Sequence, residues 1–245
     1  MRVDREPVYV LHMRPYRETS ALVEMLTERH GRVTAVAKGV RATKPRWGRG
    51  TLRPLQPIEA SWQGRGELVT LTLAEPLGTP VPLQGTALLS ALYLNELLTR
   101  LLPRHDPHTD AFAAYAACLQ RIAACAGSDQ AWTLRRFERD LLTQLGYAMA
   151  LSADARSGAP LQAEALYSYD PECGPVSWQD RPVPPTVSGS TLMALATENK
   201  PDDATLRELK RLMRSVLRHH LGGRGLAAWQ MHVPAAQPVT PADPE

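Results

Sequence analysis

Five short runs within the first eighty residues limit the fold most tightly: "PVYVLHM" (7–13), "SALVEMLT" (20–27), "RVTAVAK" (32–38), "LQPIEASW" (55–62) and "ELVTLTLA" (67–74). Each is apolar or alternating and rich in Val, Thr and Leu, the pattern of half-buried strands. "ERHGR" (28–32) joins the second run to the third through a tight Gly-containing turn, and "QGRGE" (63–67) joins the fourth to the fifth. No helical segment intervenes, so the expected fold is a small antiparallel β-barrel rather than a βαβ sheet.

Helical periodicity starts near residue 85. "TALLSALYLNELLTRLLP" (86–103) is apolar on nearly every side, as a helix packed between others is, and Pro103 stops it. Helices are also expected in "TDAFAAYAACLQRIAACAG" (109–127) and "DQAWTLRRFERDLLTQLGY" (129–147), capped at Thr109 and Ser128. A polar, Gly/Pro-punctuated stretch runs to about residue 187. "SGSTLMALAT" and "DDATLRELKRLMRSVLRHHLGG" then restore helix as far as Gly222-Gly223. The expected class is α+β, with a barrel domain at 1–80, a mainly helical domain at 81–232 and a Pro-rich tail at 233–245 read as disordered.

Charge divides along the same line. No Asp or Glu occurs between Glu28 and Glu59, an interval that holds Arg29, Arg32, Lys38, Arg41, Lys44, Arg46, Arg49 and Arg53. From residue 81 onward 15 basic residues face 17 acidic ones, so the net charge of +3 hides a positive field confined to the first eighty residues. Such asymmetry points to a nucleic acid or another anionic partner. Its densest part, "GVRATKPRWGRGTLRP" (39–54), connects the third and fourth strands. Its arginines suit phosphate oxygens, and Trp47 either stacks on an unpaired base or pins the loop to the barrel.

Two helices carry further arginines. Arg207, Arg211, Arg214 and Arg218 form one stripe, which either extends a phosphate track or only solubilises the helix. Arg135 and Arg139 are four apart, as are Arg136 and Asp140, beside Trp132, Phe137 and Leu141. By spacing alone these read as ordinary helix packing with surface ion pairs.

Signals for catalysis are thin. The chain has no phosphate-loop Gly-x-x-x-x-Gly-Lys, no HExxH and no Gly-x-Ser-x-Gly. Cys118, Cys125 and Cys173 supply neither a disulfide scaffold nor a four-ligand zinc set. The expectation is a non-enzyme with no cofactor and no metal. The start lacks a secretory pattern, and no apolar run has the length of a membrane span, so a cytoplasmic protein without a membrane partner is expected.

The runs "RPYRETSALVEMLTERHGRVTAVAKGVR" (14–41), "LRPL" (52–55), "GRGELVTL" (64–71), "LYLNELLTRLLP" (92–103), "LRRFERDLLTQLGY" (134–147) and "LKRLMRSVLRHHLGG" (209–223), in this order, closely resemble the bacterial RecO family. The resemblance implies an N-terminal OB-fold and a helical domain, in a protein without catalytic turnover that works at the nucleoid during DNA repair. It implies binding of single- and double-stranded DNA and annealing of complementary strands. It also implies partnership with RecR, in some bacteria RecF, to load RecA onto DNA coated by single-strand-binding protein. Arg32, Lys38, Arg41, Lys44, Arg46, Trp47, Arg49 and Arg53 would form the DNA surface, extended by Arg207, Arg211 and Arg214. Arg135, with Arg136 and Arg139, would meet the acidic C-terminal tail of the coating protein.

The sequence departs from the family pattern in two places. Some relatives carry a four-cysteine zinc module after the third helix, where this chain retains only Cys173, so that region is expected to be held by packing alone. Many relatives place a lysine–serine–arginine segment after the double glycine, where this chain reads "GGRGLAAWQM" (222–231). The alternative to a mediator is a non-catalytic adaptor whose basic loop binds an acidic protein.

Overall fold

The computed structural model describes residues 2–48, 50–178 and 184–231; Arg49 and the tail 233–245 lie outside the described residues. Five strands form the N-terminal part: β1 (Arg2–Tyr16), β2 (Ser20–Thr27), β3 (Arg32–Ala37), β4 (Pro57–Gln63) and β5 (Leu68–Pro76). They are hydrogen-bonded in the order β1-β2-β3-β5-β4, and β1 also pairs with β4. The wholly antiparallel sheet expected from the sequence is corrected here, because β3 and β5 pair in parallel and the sheet is mixed. The long connector 38–56 carries β4 past β3, and β5 then lies parallel to β3, with Thr34 opposite Leu68 and Val36 opposite Thr70. Hairpin spacing reveals only sequential pairings, so a seam between non-consecutive strands was not visible from it.

Alternation along the strands divides the apolar residues between two cores. Val10, Val23, Met25, Val33, Ile58 and Leu71 pack inside the sheet, whereas Leu11 and Leu26, their neighbours on the opposite face, join the helical core. That second core is built on α1 (Gly85–Leu101), α2 (Thr109–Ala124), α3 (Gly127–Gln144), α4 (Gly189–Ala196) and α5 (Asp203–His220). Neither α2 nor α3 uses the expected cap. Their N-caps are His108 and Ala126 without side-chain caps, and the Thr109 hydroxyl donates instead to the Glu28 carbonyl across the junction with the sheet. Among the described residues no helix is long and apolar enough to cross a membrane.

Polar contacts to main-chain atoms fix sheet and helices together. Asn95 of α1 donates to the Leu11 carbonyl at 2.7 Å and accepts from the Tyr115 hydroxyl. Arg32 donates to the Leu102 carbonyl at 3.0 Å while its guanidinium pairs with Glu24, and the His105 N–H donates to the Arg32 carbonyl. Gly31, at φ +66°, packs so closely here that a Cβ would lie 2.0 Å from the Asp106 carbonyl oxygen.

The expectation that the region after α3 is held by packing alone also needs correction. A three-stranded sheet, β6 (Leu166–Asp170), β7 (Gly174–Ser177) and β8 (Thr186–Ser188), is tied to the preceding loop by one carboxylate. Asp154 accepts from the backbone N–H groups of Arg156, Ser157 and Ser177 and from the Ser157 hydroxyl. The backbone donors at Ser157 and Ser177 hold its carboxyl well below the usual carboxylate range. The three cysteines are not gathered into one site. Cys118 is buried among the helices, where burial pushes its thiol up to about 12, while Cys125 is half-buried and Cys173 exposed.

Gly31→Ala is expected to cost about 2 kcal/mol or more in urea unfolding, from left-handed backbone and a clash with main chain. For Asp154 the folded carboxyl titrates below its ordinary value of 3.8, so its stabilisation is present above that pH and is lost on acidification. Asp154→Asn should therefore lower the urea midpoint at pH 7, and the gap from the parent chain should close as pH falls below 3.8. A gap that is constant with pH would contradict the carboxylate's role.

Candidate functional site

The basic connector is an anchored loop. The Trp47 indole N–H donates to the Lys38 carbonyl at 2.9 Å, and the ring packs with Leu52 into the core of the N-terminal sheet. Between the two readings left open for Trp47, the geometry is that of a pin. The ring also helps line a hollow of about 450 Å³ beneath the connector, with Met13, Val40 and Arg53. Arg46 lies over the indole at 4.9 Å and donates to the Thr72 carbonyl, and Arg41 donates to the Arg17 carbonyl. These bonds stiffen the loop while leaving cationic atoms at its surface.

Lys38, Arg41, Lys44, Arg46 and Arg53 are all exposed on this side of the molecule. Arg32 does not join them. Its side chain is 12% exposed and closes an ion pair with Glu24 at 3.0 Å, which Thr34 supports from the other side. It belongs to the junction with the helices rather than to a phosphate-facing surface. Arg49 lies outside the described residues.

The helical arginines separate into two groups. Arg136 and Arg139 both pair with Glu198, and Arg139 also donates to the Leu195 carbonyl at 2.8 Å, which staples α3 to the end of α4. Arg135 points elsewhere. With Tyr93, Leu134, Lys210, Arg214 and Trp229 it lines a groove of about 410 Å³ between α1, α3 and α5. Arg214, expected on a DNA track, belongs to this groove, whereas Arg207, Arg211 and Arg218 stay exposed along α5.

The groove's electrostatics favour an anion. One Arg135 nitrogen pairs with Glu138, a fully buried carboxylate that also accepts from the Tyr93 hydroxyl. The Nε and Nη1 atoms of Arg135 are buried without a hydrogen-bond partner among the described residues. Burial pushes the Glu138 carboxyl up, with Arg135 opposing. Burial, then the neighbouring Arg214 and Arg135 cations, push the Lys210 ammonium down. A cluster of three cations facing one internal carboxylate is relieved by an incoming carboxylate. Sequence reading missed Lys210, Tyr93 and Trp229. Lys210 lies four residues before Arg214 on the same helical face, a signal that was legible, but its meeting with Arg135 depends on how α3 packs against α5.

Trp47→Ala is expected to cost about 3 kcal/mol in urea unfolding, since it empties a packed site and orphans the Lys38 carbonyl. A ring offered for stacking would instead leave stability unchanged and lower affinity for single-stranded DNA.

Comparison with known proteins accounts for both halves of the chain. Residues 1–80 match the family description "Recombination protein O N terminal" and residues 82–230 match "Recombination protein O C terminal". "DNA repair protein RecO" of Methylococcus capsulatus is 44% identical over 230 residues, covering 94% of this chain and 93% of the relative. The protein of the same name from Xanthomonas euvesicatoria is 45% identical over 237 residues, covering 94% and 97%. That from Nitrosococcus oceani is 49% identical over 228 residues, covering 92% and 91%. With both halves matched in order and nearly the full length covered, the chain belongs to the RecO family.

Proposed function

We propose that this chain works through two separate surfaces: the exposed face of the connector holds nucleic-acid phosphates, and the groove around Arg135 holds an acidic protein tail. As a RecO family member it is a non-catalytic, DNA-binding mediator of recombination in DNA repair that anneals complementary strands within the RecFOR pathway. In the finer reading, residues 1–80 form the DNA-binding domain and residues 81–232 the protein-interaction domain. The tail held in the groove is the acidic C-terminus of single-strand-binding protein. RecR, and RecF where it takes part, assist the loading of RecA.

The observation that carries this reading is the contrast between the two cationic surfaces. Connector cations are exposed and spread along a loop, so they can follow a phosphate backbone and release its counterions without selecting a sequence. The cations at the groove are gathered round an apolar hollow with unpartnered guanidinium atoms, a geometry suited to discrete carboxylates. Holding coated DNA at both surfaces raises the effective concentration of the second contact. Annealing requires two phosphate backbones to approach each other, and the connector's charge lowers their repulsion.

Replacing Lys38, Lys44 and Arg53 together with Ala should weaken single-stranded DNA binding and reduce the slope of log affinity against log salt by about 2. An unchanged slope would remove the connector from the DNA surface. Arg135→Ala should weaken an acidic tail peptide at least about tenfold and leave naked DNA binding as it was. Equal losses for both ligands would mean that they share one surface.

A further inference from the structure

A further hollow opens at the end of β3 away from the connector. It measures about 420 Å³ and is walled by the β2–β3 turn, the β4–β5 turn and the loop between α1 and α2, over a floor of Val33, Trp62 and Val69. Each wall is held in place. The β2–β3 turn closes through the Thr27 hydroxyl, which donates to the Gly31 carbonyl and accepts from the His30 N–H. In the β4–β5 turn Gly64, at φ +147°, lies so near the strand that a Cβ would come within 3.2 Å of the Val69 Cα. The α1–α2 loop is fixed by the His105 N–H on the Arg32 carbonyl, with His105 itself in the left-handed region at φ +57°.

The side chains that these walls bring to the hollow are mostly basic: Arg29, His30, Arg65 and His105. Arg65 is exposed and forms no ion pair among the described residues, while the Arg29 side chain is 72% exposed with Glu28 at 3.6 Å. Nearby acidic groups are engaged elsewhere. Glu67 pairs with Arg104 at 3.1 Å, and Glu6, buried beneath the turn, accepts from the Arg29 N–H at 2.6 Å. The same Glu6 oxygen stands 3.3 Å from the buried Nδ1 of His30, whose ring is nearly perpendicular to that of Trp62. With Nδ1 turned inward, the rest of the imidazole lines the hollow.

The geometry points to a phosphate monoester as the occupant of this hollow, borne by the end of a DNA strand or by a free nucleotide. A monoester carries close to two negative charges and three acceptor oxygens at neutral pH, which matches cationic donors set on three separate walls. An internal phosphodiester offers less charge and fewer oxygens, and its chain must continue on both sides, where the walls obstruct it. The apolar floor gives surface for the attached sugar and base. The six residues of β3 place the hollow about 20 Å from Lys38, so a strand seated here by its end also reaches the connector. This goes beyond the connector reading, which needs only internal phosphates.

The test measures binding of oligothymidylates of about 16 nucleotides to the full chain by fluorescence anisotropy, with a phosphate at the 5′ end, at the 3′ end or at neither. The parent chain should bind one phosphorylated form about tenfold more tightly than the strand with hydroxyl ends. Arg29→Ala and Arg65→Ala, both at exposed side chains, should each remove most of that preference and change binding of the hydroxyl-ended strand little. His30→Gln, checked for folding by circular dichroism, should do the same. The variant lacking Lys38, Lys44 and Arg53 should weaken all three strands by one factor and keep the preference, which reads the connector separately from the hollow. Thymidine 5′-monophosphate and thymidine, as competitors, separate the two sources. Monophosphate binding far weaker than that of the phosphorylated strand assigns the hollow to strand ends; equally tight binding assigns it to a free nucleotide. Equal affinity for the three strands with no binding of the monophosphate overturns the proposal, as does competition by thymidine as strong as by its monophosphate. A preference that survives in both arginine variants overturns it too. Equal loss for all three strands in those variants would make the hollow part of the backbone track and contradict recognition of the monoester.

Discussion

The junction around Glu24 and Arg32 is the constraint on which the rest of the structure depends. A carboxylate and a guanidinium, both nearly buried, are affordable there only because each is satisfied more than once. Thr34 donates to Glu24, Arg104 approaches it from the helical side, and Arg32 reaches past it to the Leu102 carbonyl. Removing either charge would strand the other in the junction. Asn95 does the neutral version of the same work, joining Leu11 of the sheet to Tyr115 of α2. Sheet and helices are therefore held in register by directional bonds as well as by apolar packing.

That rigidity gives function a geometry. The connector is pinned to one part of the N-terminal sheet by Trp47, and the groove lies among α1, α3 and α5. Because α1 is bonded to β1 through Asn95, the two cationic surfaces keep a fixed relation. Family membership makes the chain a non-catalytic, DNA-binding mediator. The chemistry of the two surfaces differs in the way the proposed division of function requires. Spread charge on a stiff loop suits a repeating backbone, whereas clustered charge round an apolar hollow suits a short peptide.

Much of the fold was legible because local pattern decides it. Strand alternation located β2 to β5 within about two residues at each end, whereas β1 extends well beyond the expected 7–13 on both sides, and Gly-containing turns marked the hairpins. What long-range packing decides was not legible. The parallel β3–β5 seam depends on where the connector leads the chain, and Thr109 abandons a local cap for a carbonyl 81 residues away. Asp154 gave no sign in the sequence that it would organise the region after α3. Its partners are spread between Arg156 and Ser177.

The candidate site divided in the same way. A basic connector could be read from composition, but the sorting of its members could not. Arg32 went to the junction, Trp47 to the core, and the lysines stayed exposed. Arg135 was reached through resemblance; its partners Lys210 and Arg214, on another helix, required the packing of α3 against α5. Independence of the two surfaces is tested most directly by anisotropy of labelled single-stranded DNA on the full chain, with and without a saturating acidic tail peptide. Two separate sites predict a ternary complex in which the DNA dissociation constant shifts by less than about twofold. Displacement of DNA by the peptide, lost in Arg135→Ala, would show a single shared surface and contradict that division.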